Sequence, residues 1–126
     1  MHKFEKLEVW QLSIGYVDLC YAIANQLPKH ERYNLTSQLR RAAVSISLNI
    51  AEGSTSQTDP EQARFVRMAI RSLIETVACQ HLIHRRGYLR DAAPLREAYR
   101  ESEKLVAKLQ SLRHSLGDAS VREEAQ

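Results

Sequence analysis

Residues 42–51 read AAVSISLNIA, a run without a single charge, held between Arg40 and Arg41 on one side and Glu52 and Gly53 on the other. The apolar side chains recur on a helical period, and a helix this apolar must be covered nearly all round. Leu35, Leu39, Ala42, Ala43, Ile46 and Ile50 fall on one stripe, while Val44, Leu48 and Ala51 fall on a second, roughly opposite. The core of one subunit takes the first stripe, so the second requires another partner. Val44, Leu48 and Ala51, with Phe65 from the next helix, are therefore the candidate oligomer interface.

Glycine and proline are few, and they fall where helices start and stop. The chain reads as four helices. The first spans about residues 7–27 and ends at Pro28, with Trp10, Ile14, Val17, Tyr21 and Ala24 on its main face and Leu12, Leu19 and Ile23 widening it. Residues 28–34 form a connector with room for one helical turn. The second spans about 35–52, closed by Gly53 in the left-handed conformation. After a polar loop, Asp59 caps a third helix with Pro60 in its first turn; its apolar faces are Val66, Ile70, Leu73 and Val77, and Phe65, Ala69, Ser72, Thr76, Cys79 and Ile83. Gly87 ends it. Asp91 caps the fourth, where Leu95, Ala98, Ser102, Leu105, Leu109, Leu112 and Leu116 alternate by three and four as in a coiled-coil seam. Residues 1–117 are thus expected to form one all-α, up-down four-helix-bundle domain, and residues 118–126, poor in apolar side chains, a flexible tail.

Composition narrows the class. At 126 residues, with 44% hydrophobic and 26% charged residues, the chain suits a single soluble domain and excludes disordered or fibrous classes. Its longest uncharged run is about half the ~20 residues a bilayer span needs, and the N-terminus mixes charge with apolar residues unlike a secretory signal. No membrane partner is expected, and the cytoplasm is the expected location. Cys20 and Cys79, far apart and within apolar stretches, read as small buried hydrophobes.

The segments Phe4-x-x-Leu7-x-Val9-Trp10-Gln11, Leu27-Pro28-x-x-Glu31-x-Tyr33-x-Leu35-x-x-Gln38, Leu39-Arg40-Arg41-Ala42-Ala43-Val44-Ser45-Ile46 and Asn49-Ile50-Ala51-Glu52-Gly53 together resemble a known family. It is the family of four-helix-bundle proteins first noted in intervening sequences of bacterial 23S ribosomal RNA genes. The likeness continues through Phe65, Ala69, Ser72-Leu73-x-Glu75 and Gly87-Tyr88-Leu89, so it covers about residues 4–90, and its most specific part is 38–53. The resemblance implies a ring-like homopentamer. It also implies kinship with the accessory variability determinant of diversity-generating retroelements, a basic pentamer that binds nucleic acid and a reverse transcriptase, which makes RNA, DNA or a nucleic-acid-processing protein the expected partners.

Catalytic and metal chemistry find little footing. Carboxylate-bridged metal bundles need Glu-x-x-His pairs, and none occurs. His81 and His84, one turn apart, read as a surface or core-edge pair. No nucleophile has a recognisable base, and no glycine-rich phosphate loop precedes a helix. Asn49 and Glu52 read as structural ties to the loop after Gly53 or to a neighbouring helix end, and Ser45 and Ser47 as small residues permitting close helix approach. The expectation is a protein that is not an enzyme and carries no metal or cofactor.

Charge supplies the remaining signal. The net charge is only +3, but residues 60–90 hold Arg64, Arg67, Arg71, Arg85, Arg86 and Arg90 against Glu61 and Glu75. Arg64, Arg67 and Arg71 share one side of the third helix over roughly 10 Å, and Arg85 returns to that side. Together with Arg86 they are the candidate nucleic-acid-binding residues. The alternatives are a solvated face or an Arg71–Glu75 pair. On the fourth helix Arg96, Arg100, Lys104 and Lys108 read as neutralised by Glu97, Glu101 and Glu103. Aromatic residues make up 6% of the chain, so binding is expected to follow the phosphate backbone with little sequence preference rather than stack bases; the alternative function is a protein-only adaptor.

Overall fold

The helix boundaries follow local chemistry closely. A computed structural model describes residues 1–117 and contains, after a 3₁₀ turn at Lys3–Lys6, helices α1 (Glu8–Ala24), α2 (Leu35–Gly53), α3 (Asp59–Arg86) and α4 (Ala93–Ser115), with no strand among the described residues. The expected tail, residues 118–126, lies outside the described residues. The turn anticipated between the first two helices is a 3₁₀ segment at Lys29–Glu31.

Two caps sit one residue away from their expected places. Thr58, not Asp59, is the N-cap of α3, and its Oγ1 accepts the Glu61 amide at 3.3 Å, with Pro60 just inside the first turn. Asp91 Oδ1 accepts the Ala93 amide at 2.9 Å, leaving Ala92 as the formal cap of α4. Gly87 closes α3 with φ 68°, the left-handed cap that lacks a Cβ penalty.

Gly53 departs from its expected role. It has no positive φ and lies inside α2, which runs on to a cap at Ser54. The glycine is needed for approach instead: a Cβ there would stand 2.8 Å from Phe65 Cβ. α2 and α3 share the most extensive helix–helix interface in the molecule, and this is where they come closest to requiring a bare backbone.

The core is built from α2's main stripe, all six members of which are buried, together with Val66, Ala69, Ile70 and Leu73 of α3 and Leu95, Ala98, Leu105 and Leu109 of α4. Each large aliphatic side chain buried here stabilises the fold by about 1.5–3 kcal/mol. On α1 the structure overturns the expected face. Ile14 and Tyr21 are exposed, and the buried line is Val9, Ser13, Tyr16, Cys20, Ile23 and Ala24, of which only the last two belong to the expected face.

Polar members of that line are tolerated because each finds a partner, as burial demands. Ser13 Oγ lies 2.9 Å from Ser47 Oγ, and Ser45 Oγ accepts from Ser72 at 2.9 Å, so small hydroxyls do mark the close helix approaches. Gln80 Nε2 donates to the Tyr16 hydroxyl at 2.9 Å, Tyr16 lies 2.7 Å from Thr76 Oγ1, and Thr76 donates to the Leu73 carbonyl at 2.6 Å. Since the Thr76 proton goes to Leu73, the Tyr16 proton goes to Thr76, and the chain has one direction. Asn49 ties back to the Ser45 carbonyl at 2.8 Å, within its own helix and not to the following loop, and Glu52 is exposed.

Candidate functional site

Leu48 and Val44 sit where the second stripe of α2 places them. They line a groove of about 430 Å³ with Tyr21 of α1, Arg40, Arg41 and Glu52. Leu48 is 61% exposed, an unusual state for a leucine on a helix otherwise packed into a core. Ala51 is half-buried outside this groove. Phe65 is half-buried against Gly53 and covered by Arg64, whose guanidinium carbon lies 4.6 Å from the ring centroid. The four interface candidates therefore do not form one patch: Val44 and Leu48 are together, and Phe65 is engaged within the subunit.

The arginine row divides as well. Arg64 and Arg71 are exposed and Arg67 is half-buried on the outer side of α3, interleaved with Met68, Ile74 and Leu82, the last two 55% and 50% exposed. Arg64 Nη1 also approaches Met68 Sδ at 3.9 Å, so its charge lies along its own helix. Arg71 makes no ion pair with Glu75. This stretch is a mixed cationic and apolar face.

Arg85 and Arg86 lie roughly 20–30 Å further along α3 at 1.5 Å per residue, at the opposite end of the bundle. There the fold gathers charges that sequence order separates. Glu31 accepts hydrogen bonds from the Tyr88 hydroxyl at 2.6 Å, from Asn34 Nδ2 at 2.9 Å and from the Leu35 amide at 3.4 Å, and His30 Nε2 lies 3.2 Å from the same tyrosine oxygen. These bonds fasten the Lys29–Glu31 turn to the α3–α4 connection. Lys29, His30 and Arg32 thereby join Arg85, Arg86 and Arg90 at one end of the molecule, all exposed. Exposed Tyr33 carries Arg32 over its ring at 5.4 Å.

The local acidic groups are already engaged. The Tyr88 hydrogen bond, aided by Asn34 and the Leu35 amide, holds the Glu31 carboxyl below the usual carboxylate range, and the same bond raises the Tyr88 phenol. Asp91 caps α4. Sequence patterning points to Arg85, Arg86 and, through the local excess of charge, Arg90, but not to Lys29 or Arg32 as their company; the one visible signal for those is the motif Leu27-Pro28-x-x-Glu31, whose glutamate is the fastener.

Elsewhere, chemistry is muted. Burial pushes the Cys20 thiol up to about 12 and raises Cys79, which disfavours the reactive thiolate. His81 and His84 are exposed, and among the described residues no group of three or more His, Cys, Asp or Glu is placed to hold a metal. On α4, Lys108 pairs at 2.8 Å with Glu8 of α1 rather than with a glutamate of its own helix. No helix of the described residues is long and apolar enough to cross a membrane.

No curated protein matches the chain. Residues 5–111, nearly all of the four-helix domain, match the sequence profile of one family, and on that match the chain belongs to the 23S rRNA-intervening sequence protein family.

Proposed function

We propose that this chain is a non-enzymatic cytoplasmic accessory protein, an up-down bundle that assembles as a homopentameric ring and holds RNA or DNA by its phosphates with little sequence preference. The observation that carries the reading is the basic end, where Lys29, Arg32, Arg85, Arg86 and Arg90 are exposed and the nearby carboxylates of Glu31 and Asp91 are engaged. Arginine forks suit phosphate oxygens, and a ring repeats the surface in every subunit, so the phosphate interactions add. One exposed tyrosine is not a stacking platform, which keeps the recognition backbone-led. Assembly is supported by exposed Leu48 and half-buried Val44, which leave apolar surface for a neighbour; a closed ring requires two different complementary patches on each subunit, and the Met68–Ile74–Leu82 face offers the second. The up-down arrangement is supported by the pairings Ser13 with Ser47, Gly53 with Phe65, and Glu8 with Lys108. Kinship with the accessory determinant of diversity-generating retroelements belongs to the same proposal.

A protein-only adaptor is the second reading, favoured by the apolar side chains between Arg64 and Arg71. Native mass spectrometry combined with capture from the source cell, with and without nuclease, tests both. Pentamers releasing nucleic acid on nuclease treatment support the proposal. Monomers overturn the ring, and a protein partner retained after nuclease with no nucleic acid captured overturns the binding.

A further inference from the structure

Between the C-terminal half of α3 and the start of α4 lies a second groove, of about 500 Å³, on a different side of the molecule from the Leu48 groove. Its volume falls within the roughly 300–1,000 Å³ of sites that take small organic ligands. Val77, Ala92 and Leu95 give it an apolar floor. His81 and Tyr99 meet edge to face across it, with ring centroids 6.1 Å apart at 80°. The wall is fixed from behind: Gln80, almost wholly buried, is held by its bonds to the Tyr16 hydroxyl and to Cys20 Sγ, so the site needs little ordering when a ligand arrives.

The rim carries one sign of charge. Arg96 and Arg100, one turn apart on α4, line the groove, are exposed, and make no ion pair among the described residues despite Glu97, Glu101 and Glu103 on the same helix. No aspartate or glutamate lines the groove. An occupant must therefore bring an apolar body and an anionic head. The Met68–Ile74–Leu82 face of a second copy is poorly matched, because Arg64 and Arg71 on the same side of α3 would bring like charge to like.

We propose that the α3–α4 groove is a binding site for a small amphiphilic organic acid, whose apolar part lies on Val77, Ala92 and Leu95 and whose carboxylate is held by Arg96 and Arg100. The site is independent of the nucleic-acid reading. An aromatic acid of moderate size is expected to bind at about 0.1–1 mM.

Calorimetric titration of the full chain tests it with three probes: 1-naphthaleneacetate, its uncharged counterpart 2-(1-naphthyl)ethanol, and acetate. The acid is expected to bind about tenfold more tightly than the alcohol, which cannot form the charge-assisted pair of hydrogen bonds, and acetate is expected to give no saturable heat. Arg96→Gln with Arg100→Gln, both at exposed positions, is expected to weaken the acid about tenfold and leave the alcohol unchanged. Val77→Trp, which fills the floor, is expected to abolish both. Equal affinity of acid and alcohol, an unchanged acid affinity in the arginine variant, or no binding of the acid at several-millimolar concentration would each overturn the proposal.

Discussion

Replacing Gly53 by alanine puts helix propensity and packing in direct opposition. Alanine is favoured over glycine within a helix by up to about 1 kcal/mol, and by less at Gly53, which is the last residue of α2. Against that gain, the new Cβ would stand 2.8 Å from Phe65 Cβ, roughly 0.6 Å short of ordinary van der Waals separation. A Cβ cannot rotate away; it moves only with its backbone, so α3 must shift from α2 along their main interface. A gap of 0.5–1 Å forfeits a quarter to a half of each dispersion interaction that opens, and overpacking a tight site costs about 1–3 kcal/mol. Packing should win, giving a net destabilisation of about 1–2 kcal/mol. Gly15→Ala is the control, since Gly15 lies within α1, is exposed, and has no heavy atom within 4 Å of the point its Cβ would occupy apart from its chain neighbours and the backbone of its own helix; it is expected to stabilise by about 0.5–1 kcal/mol. Urea unfolding followed by helical circular dichroism, with unchanged slope, should show the two alanines moving the midpoint in opposite directions. Equal shifts, or a stabilised Gly53→Ala, would refute the close-approach account.

Leu48→Asp is expected to convert the proposed ring to folded single subunits, because the side chain is exposed within the subunit and a charge buried between subunits costs several kcal/mol; sedimentation velocity with circular dichroism reads both properties. Glu31 has its folded pKa held below the ordinary 4.5, so its contribution is fully present above about pH 4.5 and is lost as pH falls through the lower folded value. Glu31→Gln and Tyr88→Phe should both flatten the acid limb of stability against pH, measured as urea midpoints. Tyr16→Phe takes from the buried Gln80 amide its oxygen acceptor, leaving it only Cys20 Sγ at 3.7 Å, and is expected to cost about 1–3 kcal/mol; adding Gln80→Leu should recover part of that stability, which a double-mutant cycle measures.

Aliphatic patterning made α2 and α4 readable. The stripe from Leu35 to Ile50 and the seam from Leu95 to Leu109 are buried as expected because aliphatic side chains dominate the core side of those wheels, and the polar Ser47, Asn49 and Ser102 buried with them bond to Ser13, the Ser45 carbonyl and the Tyr99 carbonyl. α1 misled because Ser13 and Tyr16 look like surface residues until Ser47, Thr76 and Gln80 arrive from distant parts of the chain to satisfy them. Gly53 has a common capping role that sequence suggests and a packing role that only the approach of Phe65 reveals. The candidate site was half visible for a similar reason. A local run showed the arginines of α3, but the end at which Lys29, Arg32 and Arg90 join Arg85 and Arg86 is assembled by the Glu31–Tyr88 hydrogen bond across 57 residues of sequence.

Fluorescence anisotropy of a labelled single-stranded RNA and an unrelated DNA duplex, titrated with the protein over a range of salt concentrations, tests nucleic-acid binding most directly. The logarithm of affinity should fall linearly with the logarithm of salt for both probes, as condensed counterions are released. Arg85→Gln with Arg86→Gln should weaken both to a similar extent and lower the slope by about one unit for each phosphate left without its arginine. Arg64→Gln with Arg71→Gln, on the mixed face, should change it less. A slope unaltered by the Arg85 and Arg86 substitutions, or no binding to either probe at low salt, would contradict the assignment of the basic end to nucleic acid.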